Sequence, residues 1–165
     1  MRPIIALAVL AAVPTLALAQ AAPKGAAPIP AAEIREMFSG KTYNFTEKGH
    51  KGEKEPISWY LGADGKMLGY TGNGPSHAAG TWSTADGKLC VSDQWAGAWG
   101  TNHSDECQLW ARDTAKPKVL YRAEPSKGGS WTKFTPKLSS GDTITPKIEA
   151  LKVKLAGPLK FGLGV

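Results

Sequence analysis

Between residues 41 and 135, hydrophobic and polar positions alternate in short runs that turn signals separate. In the first run, Tyr43 and Phe45 fall on one face and polar residues lie between them. A period of two predicts half-buried β-strands. About eight such runs fit into this region, the spacing expected of a small antiparallel β-barrel or sandwich. The pattern therefore predicts an all-β fold.

Two of the turn signals are identical in sequence. Ala63–Lys66 and Ala85–Lys88 both read Ala-Asp-Gly-Lys and lie between strand-like runs. Asp-Gly in this position is a strong signal for a β-hairpin, because Gly adopts the positive φ that a tight turn requires. The repeat therefore predicts an antiparallel meander and not a solenoid.

The first regular segment is a short helix before these strands. Ile34, Met37 and Phe38 have the i, i+3, i+4 spacing of one helical face, and Ser39-Gly40 provides a C-terminal stop. A helix of two turns is not stable alone, so we expect it to pack on the β-rich domain.

The last 29 residues, 137–165, are expected to form a C-terminal extension. Thr145-Pro146 is a good start for a helix, and Ile148, Leu151 and Leu155 then fall on one face. The alternation in Lys152–Ala156 fits a strand as well. We favour a short amphipathic helix that packs on the β-rich domain over one that lies on a membrane.

The N-terminus has the pattern of a secretory signal peptide. Arg2 precedes an apolar run over residues 4–13, and Ala17–Ala19 forms an A-x-A cleavage site. The apolar run is too short for a membrane anchor, which needs about 20 residues. We expect a signal peptide over 1–19, a flexible Ala/Pro-rich leader over 20–30, and a periplasmic or secreted mature protein.

The expected export of the chain allows its two cysteines to be interpreted. Cys90 and Cys107 are the only cysteines in the chain, so one disulfide is possible. An oxidising compartment favours its formation. Two thiolates alone do not make a metal site. We therefore predict one structural disulfide.

A series of short motifs follows the predicted helix in a distinctive order. In chain order they are Gly40-Lys41-Thr42, Trp59-Tyr60, Asp64-Gly65, Gly80-Thr81-Trp82, Gly87–Cys90, Trp95, Cys107, Leu120–Arg122, Trp131 and Phe134. With this series the chain resembles an uncharacterised family of small exported bacterial proteins, domain of unknown function 995, over about residues 31–136. The resemblance implies export, one β-rich domain and a Cys pair, and it brings no activity or catalytic residue with it. The insertion His50–Pro56 and the C-terminal extension depart from the family pattern.

The charge pattern excludes one class of partner. The chain has a formal net charge of +6, but its basic residues are scattered among acidic ones and form no stripe with aromatics. An exported protein without a basic face is not expected to bind nucleic acid.

The sequence gives only weak signals for catalytic or metal-binding residues. Ser76-His77 with Asp93 could be read as a triad, yet no G-x-S-x-G elbow is present. His103, Asp105 and Glu106 lie close together without the spacing of a zinc site. We therefore expect no enzyme, no cofactor and no metal site.

The six tryptophans point to a binding role. Trp95 and Trp99 lie in a Gly-rich segment inside the predicted disulfide loop, followed by His103. Loop aromatics on a rigid scaffold often form contact surfaces, although both could also fold back as a lid on the barrel. The other four lie in predicted strands and are expected in the core: Trp59, Trp82, Trp110 and Trp131.

These observations favour a monomeric, non-enzymatic binding protein of the cell envelope. Trp95, Trp99 and His103 are its candidate site, and an envelope glycan, lipid or protein is its expected ligand. One alternative is a periplasmic inhibitor of a secreted hydrolase, with the leader inserted into the enzyme cleft. A second alternative is a metal-handling protein that uses His103.

Overall fold

A computed structural model describes residues 21–48, 52–72 and 75–156 of the chain. The predicted signal peptide with its cleavage site at Ala19, residue His50 and the last nine residues lie outside this part, as does the side chain of Leu155. Of the segment His50–Pro56, which departs from the family pattern, only Gly52 onward is therefore described.

The described chain forms an antiparallel sheet that curls into a half-barrel, with two α-helices. The all-β prediction is confirmed, with ten strands where about eight were expected. The order in the sheet is β10-β2-β3-β4-β5-β6-β7-β8-β9, and β1 pairs with β7 as a branch. The elements are β1 (Ala26–Pro28), α1 (Ala31–Phe38), β2 (Lys41–Lys48), β3 (Lys54–Leu61), β4 (Lys66–Thr71), β5 (Ser76–Ala85), β6 (Lys88–Gly97), β7 (Gly100–Asp113), β8 (Leu120–Ala123), β9 (Thr132–Lys133), β10 (Lys137–Ser140) and α2 (Thr145–Ala156).

The concave face of the sheet carries the core. Because successive side chains of a strand point to opposite faces, the alternating apolar positions all meet inside the curl. Trp59, Trp82 and Trp110 are buried there as expected, while Trp131 is only partly buried. Phe134, between β9 and β10, packs on Tyr43 and Trp110. This contact brings the two ends of the sheet together.

Helix α1 covers one end of the half-barrel. Ile34 and Phe38 are fully buried, which confirms the predicted helical face. The helix is fixed to the two Asp-Gly turns: the Ala31 amide donates to Asp86 Oδ1 at 2.9 Å, and Arg35 donates to the Ala63 carbonyl at 3.1 Å. We call the end of the half-barrel that α1 covers the helix end. We call the opposite end, which carries the β6–β7 turn, the open end.

The two Asp-Gly turns form as the sequence predicts. Gly65 has φ 84° and Gly87 has φ 69°, conformations that a side chain disfavours. Each turn also forms a backbone hydrogen bond with another segment. The Gly65 carbonyl accepts from the Trp82 amide, and the Gly87 amide donates to the Ile29 carbonyl. The meander is therefore fixed to the segment before α1.

The expectation of a flexible leader over residues 20–30 is wrong for its second half. β1 pairs with β7, with Ala26 opposite Asp113 and Pro28 opposite Ala111. Ile29 is 1% exposed in the core. A buried Ile and free backbone groups on β7 together hold this segment on the sheet, which composition alone did not reveal.

Helix α2 lies on the convex face. Ile144, Ile148 and Leu151 are buried, and Lys147 lies over the Tyr70 ring, which points away from the core. The side chain of Asp142 begins the helix by accepting from the Ile144 and Thr145 amides. β10 precedes this helix and pairs with β2, so residues 137–140 belong to the sheet.

The predicted disulfide is present. Cys90 on β6 lies directly opposite Cys107 on β7, with 4.1 Å between the Cα atoms. Both side chains project from the convex face, because neighbouring Leu89 and Val91 point into the core. The bond therefore ties β6 to β7 without occupying core volume.

We predict that replacing both Cys90 and Cys107 by Ser lowers the free energy of unfolding by about 3 kcal/mol, because the unfolded chain gains loop freedom. Equilibrium unfolding in urea measures the difference. The reduced wild-type protein is the control and should match the variant. Equal stability of the oxidised wild type and the variant would contradict the prediction.

Candidate functional site

The hairpin of β6 and β7 carries all three candidate residues, and its two faces differ in character. Trp95 pairs with Asn102 and Gln94 pairs with His103. Trp95 therefore lies on the concave face and His103 on the convex face. The expectation of a Gly-rich loop here is wrong: residues 94–103 are the ends of two paired strands joined by Ala98 and Trp99 alone.

Trp95 lies along the concave face over very small residues. A row of cross-strand neighbours runs from Trp59 through Gly69 and Ala78 to Trp95. A Cβ atom at Gly69 would lie 3.0 Å from the Trp95 ring. The indole thus fills the space that Gly69 leaves, and it remains partly exposed.

Trp99 occupies the turn at the open end and is 57% exposed. Its ring lies over Gly97, since a Cβ atom there would lie only 2.6 Å from the indole Nε1. Gly97 shares a face with Trp95, two residues earlier on β6. Both indoles therefore lie on the concave side, and we call Trp95 and Trp99 the tryptophan platform.

His103 does not join the platform. Its Nε2 lies 3.0 Å from Asp105 Oδ2, and both side chains are exposed on the convex face. A hydrogen bond from Ser92 is the largest cause that lowers the pKa of Asp105 below its usual range, and a hydrogen bond from His103 acts in the same direction. The structure thus brings together two of the three candidate residues and leaves the third on the other side of the sheet.

Asp93 lies two residues before Trp95 on the same face of β6. Its side chain is 2% exposed and lies over Gly80. Burial raises the pKa of this carboxyl to about 6, while the charge of His103 and the polar interaction with the Trp95 side chain act in the opposite direction. A buried carboxyl group therefore lies close to the Trp95 side chain.

The alternation of side chains along the strands separates the residues of the candidate triad and of the candidate metal site. Ser76 is buried on the concave face, whereas His77 points to the convex face, so the two do not form a triad with Asp93. Glu106 likewise lies on the concave face, away from His103 and Asp105. Neither the triad nor the histidine-based metal site has the required geometry.

The structure assembles a second group of polar residues that the sequence analysis missed. Three carboxylate oxygens, one from each residue, lie within 4.8 Å of one another inside the half-barrel; the residues are Glu47, Glu106 and Glu124. Arg122 Nη2 lies 2.6 Å from Glu124 Oε1, and Arg122 Nη1 donates to the Tyr43 hydroxyl at 2.6 Å. We call Glu47, Glu106, Glu124 and Arg122 the interior charge cluster.

A weak sequence signal for this cluster exists. Glu47 continues the inward-facing series Tyr43 and Phe45, and Arg122 occupies an inward position of β8. A charged residue at an inward position of a strand is unusual, because burial of a charge is costly. Only the pairing register shows that these positions from distant strands face one another.

Comparison with known proteins assigns the family. The family model described as "Protein of unknown function (DUF995)" matches residues 5–148, so the chain belongs to this family. The match extends further in both directions than the motifs that first indicated it. No curated protein and no solved structure matches the chain. Within the described residues, no helix is long and apolar enough to cross a membrane.

We predict that Asp93→Asn changes the pH dependence of stability. Because the pKa of Asp93 is about 6 in the folded protein and about 4 in an unfolded chain, its stabilising contribution is complete below pH 4 and is lost as the pH rises through 6. Asn removes this loss, so the variant should gain up to about 3 kcal/mol relative to wild type between pH 4 and 7.5.

Chemical unfolding at several pH values measures this difference. Asp105→Asn is the control, because Asp105 directly follows Ser104, the cross-strand partner of Asp93, and lies on the exposed convex face. Its pKa is lowered in the folded protein, so the control should lose stability relative to wild type as the pH rises. Parallel curves for wild type and Asp93→Asn would contradict the prediction.

Proposed function

We propose that this protein is an exported, non-enzymatic binding protein of the cell envelope, and that the tryptophan platform binds a sugar ring of an envelope glycan. The observation that carries the proposal is the position of Trp95 and Trp99 on one face at the open end. Both rings rest on positions without large side chains, namely Gly69, Ala78 and Gly97.

The chemistry of an indole face suits a sugar. The C–H bonds on one face of a pyranose are weakly positive, and the face of an aromatic ring is weakly negative. A partly exposed ring on a strand offers such a face without the entropy cost of ordering a loop. The buried carboxyl of Asp93 lies close to the Trp95 side chain and places a polar group beside the platform.

A glycan-binding role of the tryptophan platform is also compatible with the expected periplasmic or secreted location. The disulfide on the convex face is stable in an oxidising compartment, where the predicted signal peptide would direct the chain. Envelope glycans are abundant there. The inhibitor alternative gains no support from the leader, because residues 26–29 are held on β7 and in the core.

We predict that the mature protein binds at least one glycan from a cell-envelope extract on a glycan array. Trp95→Ala and Trp99→Ala should each weaken binding about tenfold, the effect of losing roughly 1.4 kcal/mol of stacking. Isothermal titration with the identified glycan measures the affinities, and thermal unfolding checks that each variant is folded.

His103→Ala is the matched control, because the residue lies on the same hairpin but on the opposite face. It should bind as the wild type does. Trp95→Phe tests whether the indole N–H contributes to binding, since this change keeps an aromatic ring and removes the N–H. Unchanged binding in the Trp95→Ala/Trp99→Ala double variant, or no glycan bound by the wild type, would refute the proposal.

A further inference from the structure

The two indoles of the tryptophan platform lie over different parts of the concave face. A Cβ atom at Gly69 would lie 3.0 Å from Cη2 and 3.1 Å from Cζ2, the outer edge of the Trp95 ring. Because Gly69 is on β4 and Trp95 is on β6, this ring extends across β5. The Trp99 ring lies over β6 itself, since a Cβ atom at Gly97 would lie 2.6 Å from its Nε1 and 3.1 Å from its Cδ1. The platform therefore consists of two separate aromatic surfaces.

The two surfaces are displaced both along the strands and across them. Gly97 lies two residues beyond Trp95, about 6.6 Å along β6, because a strand rises about 3.3 Å per residue. Neighbouring strands are about 4.8 Å apart, so the outer edge of the Trp95 ring at Gly69 is also displaced sideways from Trp99. A single pyranose ring is too small to stack fully on both indoles, and each indole has room for a sugar ring of its own.

Asn102 provides a hydrogen-bonding group beside these surfaces. It lies on β7 directly opposite Trp95, so its side chain shares the concave face. The residue is exposed. A side-chain amide has two donor hydrogens and a carbonyl acceptor, which match the neighbouring hydroxyl groups of a sugar. Asn102 is therefore placed to bond a sugar chain that lies on the platform.

The immediate surroundings of the two surfaces hold no basic side chain. The four cross-strand neighbours of Trp95 and Gly97 are uncharged: Ala78, Asn102, Ser76 and Gly100. Asp93 lies close to Trp95, and at neutral pH, above its pKa of about 6, its carboxyl is ionised. A carboxylate or phosphate on a sugar would be repelled by this charge, and none of the four neighbours could offset the repulsion. These surroundings favour an uncharged sugar chain.

We propose that the tryptophan platform recognises a neutral oligosaccharide of at least two pyranose units, with one unit stacked on each indole and Asn102 bonded to hydroxyl groups of the chain. The inference rests on the proposed glycan-binding function and adds the chemical class and the minimum length of the ligand. Chains whose ring substituents are all equatorial fit such surfaces, because their C–H bonds then form flat apolar faces that stack on aromatic rings. β-1,4-linked glucose and N-acetylglucosamine have this form.

The first experiment is isothermal titration of the mature protein with chains of one to four units from each of these two neutral series. In at least one series, the two-unit chain should bind at least tenfold tighter than the single sugar. β-1,4-linked glucuronate chains have the ring stereochemistry of the glucose series and a carboxylate on each unit. They should bind at least tenfold more weakly than neutral chains of the same length.

Variants test whether each indole holds one unit. Trp95→Ala and Trp99→Ala should each lower the affinity for the two-unit chain to about that for the single sugar, because one stacking surface remains. Asn102→Ala should weaken binding of the two-unit chain about tenfold. Gln94→Ala is the matched control, because it removes an exposed side-chain amide next to Trp95 on the opposite face, and it should leave the affinity unchanged.

A second measurement does not depend on any variant folding correctly. Saturation-transfer difference NMR on the wild-type protein with the two-unit chain reports which ligand protons lie close to the protein. The C–H protons of both sugar units should receive saturation, because each unit stacks on an indole.

Equal affinities for the one-unit and two-unit chains, saturation transfer to one unit alone, or tighter binding of the glucuronate chains would overturn the inference. The same holds if Gln94→Ala weakens binding as much as Asn102→Ala does. Each of these results leaves the proposed function intact, since the platform would still bind a glycan. Failure of both neutral series to bind also overturns the inference, whereas the proposed function fails only if the glycan array yields no ligand or the double tryptophan variant binds as the wild type does.

Discussion

The contact of Phe134 with Tyr43 and Trp110 is the interaction on which the rest of the structure depends. The ring centres lie 6.3 Å and 5.7 Å apart, in edge-to-face arrangements that aromatic pairs prefer. This contact joins the segment between β9 and β10 to β2 on one side and β7 on the other. The contact adds to the intrinsic twist of the strands and helps to hold the sheet in its curled form, in which Glu47 lies close to Glu106 and Glu124.

A second constraint is the absence of side-chain volume along one row of the sheet. Gly69 and Ala78 lie between Trp59 and Trp95, so two large rings occupy the concave face without collision. Close packing of protein interiors means that such space is filled by a neighbour. Here the neighbour is Trp95, which the same geometry leaves partly exposed.

Much of the fold followed from local patterns. The period of two, the Asp-Gly turns at Gly65 and Gly87 and the apolar face of α1 depend on backbone conformation and short-range spacing, so they could be predicted. The docking of β1 could not, because an Ala/Pro-rich segment has no periodicity and its place is decided by β7 and the pocket for Ile29. The candidate site was predicted only in part, since strand alternation sends Trp95 and His103 to opposite faces once their segment is a hairpin.

The sequence by itself determined the β-rich class, the family, the single possible disulfide and the presence of the two tryptophans that form the platform. Tertiary structure decided which residues meet. Glu47, Glu106, Gln108 and Glu124 become neighbours because the sheet curls and its strands pair in one register, and a shift of one residue would send each side chain to the opposite face. Contacts between distant strands depend on register and curvature, which no local pattern encodes.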